Sequence, residues 1–199
     1  VSAQLTSLEV GKVYRFVNAR TAGRSLNGCG SGNVNTTTTD ANDLKQQWYV
    51  TKDGDYYVLR NLYYAQYLKG AEGLYKAWTM TDDYSATQNK FELVTSNSTL
   101  NTLKIKGSDT YGHMHDSNNG GHSDGYSVVK WMNNDSGSYW TIHEVTYSNE
   151  ELKTILDAHP TVAEVAAWAT NFRSFFNDDA CTTSSYATLE LAKAAAEYS

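Results

Sequence analysis

The sequence carries no concentrated positive charge. Its 16 Lys and Arg are scattered, and 22 Asp and Glu outnumber them, giving a formal net charge of -6 over 199 residues. A nucleic-acid binder needs a basic stripe to displace counterions from phosphates, so a polyanionic partner is not expected. No apolar run approaches the roughly 20 residues of a membrane helix, so membrane insertion by a helix is not expected either. A leader is also missing. The sequence begins at Val1 rather than Met, as a processed or trimmed chain would, so this says nothing against export. Two cysteines, Cys29 and Cys181, are too few for a disulfide framework. They either pair, stapling the C-terminal region to the N-terminal part, or remain thiols.

Catalytic patterns are missing as well. There is no GxSxG, HExxH, phosphate-binding loop or CxxC motif. The adjacent acids Asp82-Asp83 and Asp178-Asp179 suit turns and helix starts, and Cys181 has no nearby His in sequence. The stretch from Asp116 to Gly125 alternates oxygen donors ahead of a glycine but lacks the bidentate Glu of a calcium loop, so it reads as an ordinary loop. Neither a metal nor a cofactor is expected.

What the sequence does contain is aromatic residues, 13% of the chain with 15 Tyr, a composition that suits β-rich folds and wet binding surfaces. It also repeats itself. An apolar strand opens each unit: Tyr14 and Phe16 with Asn18, Tyr57 and Leu59 with Asn61, and Leu103 and Ile105 with Gly107. A small polar group then leads into Leu26, Leu68 or Met114. Each unit closes on Trp48, Phe91 or Trp140, with Gln46, Asn89 and Ser138 two residues earlier. Three landmarks keeping one period of a little over forty residues define a threefold pseudo-repeat. Within a unit, short alternating strands are separated by Gly, Asn, Asp and Ser turns, and Asp53-Gly54 marks a hairpin. Four strands in each of three units predict a mainly β, closed, twelve-stranded structure. The closers are expected to fill the core, with the amide two residues earlier tying down a neighbouring loop.

The Gln46-x-Trp48 closer and its degenerate copies resemble the QxW signature of ricin-B-like β-trefoil lectins. The run Val128-Val129-Lys130-Trp131, leading to Ser138-Tyr139-Trp140-Thr141-Ile142, looks like the modules attached to secreted bacterial polysaccharide-degrading enzymes. The resemblance covers residues 10–146. It implies a β-trefoil, a carbohydrate partner and a secreted, periplasmic or cell-surface location. The chain itself would be a non-catalytic binding module, with any catalytic domain lying elsewhere in a longer protein. The alternative is a trefoil without sugar binding, acting as an interaction or spacer domain.

In such lectins a unit carries an acid or amide after its first strand, an aromatic platform and an amide beside the closer. Sugars call for this combination because their hydroxyls take hydrogen bonds while their C–H faces stack on a ring. The first unit has Thr36-Thr37-Thr38-Thr39 where the ring should be, and its pocket is read as degenerate. The second offers Asn61, Trp78 flanked by Tyr75, and Asn89, with an insertion around Asp82-Asp83-Tyr84 that displaces Trp78 from the usual spacing. The third is richest, with Asp109, His115, Trp131, Asn133 and Asn134. Expected ligand contacts are therefore centred on Trp131.

From Tyr147 the pattern turns helical. Ser148 and Glu151 form a capping box, and Leu152, Ile155 and Leu156 recur at helical spacing as far as His159-Pro160. A second helix follows Pro160, and an alanine-rich third spans Tyr186 to Tyr198. Residues 147–199 are expected to be about three helices, the start of a further domain in a longer chain.

Overall fold

The structure, a computed structural model, describes residues 5–145 apart from 22, 42, 85–86, 96–99 and 121–124. The expected helices of 147–199 and the partner proposed for Cys29, Cys181, lie outside the described residues. The first unit comprises β1 (Val13–Asn18), β2 (Arg24–Cys29), β3 (Asn33–Thr38) and β4 (Trp48–Asp53). The second comprises β5 (Tyr56–Asn61), β6 (Tyr67–Lys69), β7 (Thr79–Thr81) and β8 (Phe91–Thr95). The third comprises β9 (Asn101–Ile105), β10 (His113–Gly120), β11 (Tyr126–Trp131) and β12 (Trp140–Glu144).

The outer strands of each unit close a six-stranded antiparallel barrel. Going round it, β1 pairs β4, β4 pairs β5, β5 pairs β8, β8 pairs β9, β9 pairs β12, and β12 returns to β1. The inner strands form three hairpins, β2–β3, β6–β7 and β10–β11. These join one another through Asn33↔Thr79, Tyr126↔Thr36 and the bridge Ala77↔Val129. A closed barrel under a ring of hairpins leaves no long edge to template association among the described residues. This is the β-trefoil. The Asp53-Gly54 hairpin forms as expected, with Asp53 opposite Tyr56 and Gly54 at φ 59°.

The repeat seen in the sequence is the repeat of the core. The closers Trp48, Phe91 and Trp140 are buried, as are Phe16, Leu59 and Ile105 from the opening strands and Leu26, Leu68 and Met114 from the hairpins. Each such side chain contributes on the order of 1.5–3 kcal/mol on leaving water. The backbone repeats too: the N–H groups of Ala19, Leu62 and Lys106 donate to the carbonyls of Tyr139, Gln47 and Lys90, each 2.9 Å away and each one residue before a closer.

The closers also donate. The indole of Trp48 reaches the Leu26 carbonyl (3.1 Å), and that of Trp140 reaches the Met114 carbonyl (2.9 Å). Phe91 has no N–H, and the matching carbonyl of Leu68 takes the Asn89 amide at 3.1 Å instead. Gln46 donates to the Thr38 carbonyl (2.9 Å) and Ser138 to the Met132 carbonyl (2.6 Å), the loop-tying role expected of the position two before the closer. Buried carbonyls without a partner are costly, so each substitution has its replacement donor.

Candidate functional site

The eight ligand contacts expected from the sequence separate into two groups. Asn61, Trp78 and Asn89, expected to line a pocket in the second unit, are buried parts of the scaffold. Trp78 is fully buried and stacks on Phe91 with ring centroids 5.3 Å apart, so no face is open to a sugar. Asn61 accepts from the N–H groups of Tyr63 (3.0 Å) and Tyr64 (3.1 Å) and donates to the Lys45 carbonyl (2.9 Å). Asn18 does the same in the first unit, accepting from Arg20 and Thr21 and donating to Gly137. Asn89 supplies the donor that Phe91 lacks. These positions hold units together, and the second-unit pocket as drawn from the sequence is absent.

Asp109, His115, Trp131, Asn133 and Asn134 come together at one corner of the third unit. Asp109 lies in the exposed turn between β9 and β10, where its carboxylate accepts the Tyr111 N–H at 2.9 Å. That turn is stitched to the segment after β11 by Asn133 N–H donating to the Thr110 carbonyl (3.2 Å). Asn134 is exposed beside it.

Trp131 ends β11 half-buried, and its indole N–H donates to Asp135 Oδ2 at 3.1 Å. Asp135 also caps the short turn Ser136–Ser138 through the Gly137 N–H and pairs with Arg20 at 3.1 Å. Burial pushes the Asp135 carboxyl up, but the Gly137 amide, the Trp131 indole and Arg20 outweigh it and hold it below the ordinary carboxylate value. It stays an acceptor and fixes the plane of the indole.

His115 is a wall of this corner more than a contact. It is 6% exposed, with its ring centroid 6.3 Å from that of Trp131. Ser138 Oγ gives its proton to the Met132 carbonyl, so at 2.8 Å it accepts from His115 Nδ1–H, which assigns the tautomer. Burial lowers the His115 pKa to about 4, leaving the ring neutral.

The expectation of a bare Trp131 platform needs correction. Tyr75, from the β6–β7 connection of the second unit, stacks on the indole with centroids 4.3 Å apart and planes 28° apart. Tyr111 meets the same indole edge-on at 6.0 Å. Tyr75 is 62% exposed, while Tyr111 and the neighbouring Leu74 are also open. The outward ring is therefore Tyr75, with Trp131 beneath it. The chain is clamped there: Tyr75 N–H donates to Lys130 O, Lys130 N–H to Lys76 O and Trp78 N–H to Val128 O, at 2.8 to 3.0 Å. Tyr75 itself sits at φ 63°, a left-handed conformation that bulky residues rarely take and that persists only where surrounding contacts impose it.

Tyr75, Tyr111 and Asp135 escaped the sequence reading. In the sequence Tyr75 stands only beside Trp78, because its stacking partner Trp131 lies in another unit. For Asp135 a signal existed, an Asp ahead of Ser136-Gly137-Ser138 that reads as a cap. Among the described residues no group of three or more His, Cys, Asp or Glu could hold a metal ion.

Comparison with known proteins bears on the fold. No protein-family model matches the sequence, and no curated protein matches it by sequence. Solved structures do. A ricin B-like lectin from Macrolepiota procera, solved in complex with lactose, aligns with a TM-score of 0.57 at 18% identity, covering 69% of this chain and 99% of that one. The Polyporus squamosus lectin, bound to a sialylated glycan epitope, aligns at 0.59 and 14%, covering 88% and 81%. A designed three-fold symmetric protein, ThreeFoil, aligns at 0.56 and 16%, covering 66% and 97%. The described residues thus form a β-trefoil whose structural neighbours include lectins, and identities this low carry the fold alone.

Proposed function

We propose that this chain is a non-catalytic carbohydrate-binding module, acting within a larger secreted or surface protein to hold it on glycan. The observation that carries the reading is the Tyr75–Trp131–Tyr111 cluster. It is an exposed ring backed by an oriented indole, flanked by the carboxylate of Asp109 and the amides of Asn133 and Asn134. A sugar would lay its C–H face on Tyr75 and direct hydroxyls toward those polar groups. The lactose and sialylated-glycan complexes of the structural neighbours support this ligand class. Shallow sites of this kind bind weakly one at a time and gain from attachment to other binding or catalytic units.

A glycan array, followed by titration of any hit into the wild-type chain and the Tyr75→Ala and Trp131→Ala variants, tests the proposal. Loss of binding in both variants is expected. Binding that survives Tyr75→Ala would remove this corner from the site, and no binding to any glycan at millimolar concentration would sink the function.

The second reading, a trefoil that binds protein and not sugar, draws on the first unit. There Thr36 is committed to the buried Asp116 carboxylate, the Thr37 hydroxyl and the Thr38 carbonyl take the Gln46 amide, and residues 36–39 themselves carry no ring for a sugar to stack on. The same array separates the two.

A further inference from the structure

On the flank of the second unit, the turn between β4 and β5 and the side of the β6–β7 hairpin enclose an open groove of about 300 Å³. It is lined by Thr51, Lys52, Asp53, Gly54, Tyr67 and Tyr84, with Val58 at its base. It shares no residue with the Tyr75–Trp131 corner. The two tyrosine rings face each other at 5.2 Å between centroids and 46° between planes, forming a tilted aromatic wall. The Tyr84 ring is open to solvent, and its hydroxyl donates to the Asp53 carboxylate. Burial and that carboxylate push the Tyr84 hydroxyl far above its ordinary pKa, so it remains a neutral donor. Lys90 reaches the same Asp53 oxygen at 3.2 Å. Asp53 is nonetheless 47% exposed and keeps acceptor capacity toward the groove.

The groups present decide what could enter. The volume sits at the lower end for small-molecule sites, too small for a folded partner. A cation is disfavoured because Arg60 already covers the Tyr67 ring at 4.4 Å and Lys90 neutralises Asp53. An apolar ligand would cover the half-exposed Asp53 carboxylate and the exposed Lys52 ammonium, stripping their water without offering a hydrogen bond in return. A hydroxyl-rich ring fits both features, with a C–H face against the open Tyr84 ring and hydroxyls between Asp53, Lys52 and Thr51.

We infer that this groove is a second saccharide subsite, built on Tyr84, Tyr67 and Asp53. The inference rests on the carbohydrate reading of the previous section and adds a separate surface to it. One domain would then hold two sugar residues on different faces, raising avidity for a branched or crowded glycan without any change at Trp131.

Amide NMR of the full chain, titrated with glucose, galactose and N-acetylglucosamine at millimolar concentration, tests this. At least one sugar should shift Thr51–Gly54 and Tyr67 together and saturably. Tyr84→Ala should abolish those shifts while leaving any at Tyr75 and Lys130. Asp53→Asn keeps a hairpin-forming Asn-Gly turn and should weaken groove binding roughly tenfold, the loss of one charge-assisted hydrogen bond. Shifts confined to Tyr75 and Lys130 would overturn the second subsite and leave the first standing. Groove shifts that persist in Tyr84→Ala would overturn it too. No shift in either region would overturn the second subsite, while the Tyr75–Trp131 corner would stand or fall with the glycan array.

Discussion

The second repeat and its two siblings solve one problem in different ways. In the first and third, a tryptophan both fills the barrel and satisfies a hairpin carbonyl with its indole N–H. In the second, Phe91 only fills, Asn89 takes over the hydrogen bond, and Trp78 from the hairpin adds the missing aromatic volume by stacking on Phe91. Function diverges along the same line. Amides that look like ligand contacts in the second repeat are bound up in holding it together, while the third leaves an aromatic corner open. Resemblance between repeats thus reports first on packing. A side chain is available to a ligand only where its own unit has another way to meet the structural need.

The largest effect that would break this comparison comes from the closers. Trp48→Ala and Trp140→Ala should each cost about 3–5 kcal/mol, seen as a lower denaturant midpoint. The more discriminating change is to Phe. Trp48→Phe and Trp140→Phe leave the Leu26 and Met114 carbonyls unpaired, because Gln46 and Ser138 are engaged elsewhere. Each should cost more than an apolar trim of that size. If either is tolerated without loss, the account of Phe91 and Asn89 as a matched pair fails.

Next in size is a pH effect confined to the third repeat. His113 and His115 are buried, and burial lowers each to about 4, against 6.5 in the unfolded chain. Above pH 6.5 both states are neutral and stability is full. As pH falls from about 6.5 toward 4 the unfolded chain takes up protons that the folded chain refuses, so stability drops. The loss approaches roughly 3 kcal/mol per histidine once pH reaches the folded value. Urea midpoints measured from pH 7 to pH 5 should fall steadily, before most carboxylates begin to titrate. A flat profile over that interval would show that these rings are not held neutral.

Asn89 sharpens the contrast on a smaller scale. Asn89→Ala strands the Leu68 carbonyl in the core and should cost about 1–3 kcal/mol. Asn134→Ala, on the exposed loop after Trp131, should stay within about 0.5 kcal/mol. Equal effects would mean that Asn89 is not the brace described here.

The same contrast explains what was legible in the sequence. Closers, opening strands and hairpin anchors recur because barrel closure imposes the same burial three times, so a closed threefold β structure could be read from spacing, while the trefoil itself came from the resemblance of the closers to the QxW signature. The third-unit residues could be collected from sequence because Asp109, Trp131 and Asn133 lie within one repeat. Tyr75 could not be, since stacking between units leaves no periodic trace. Nor could spacing tell that Asn61 and Asn89 point inward, because a bracing amide and a ligand-binding amide are the same residue type in the same position. Only the count of donors against carbonyls separates them.

A small stability effect is expected where the functional effect is largest. Tyr75→Gly removes a ring stacked on Trp131, worth about 0.5–1.5 kcal/mol, but relieves a left-handed conformation that costs a bulky residue on the order of 1–2 kcal/mol. The two nearly cancel, and the unfolding free energy should change by less than about 1 kcal/mol. Glycan binding at the third-unit corner should be lost. Tyr75→Ala keeps the strain without the ring and should be the less stable of the two while binding no better. A drop well beyond that range in the glycine variant would make Tyr75 a structural strut like Trp78, and the open corner would become another piece of scaffold. Near-wild-type stability with lost binding would mark Tyr75 as a residue held in strain for its ligand.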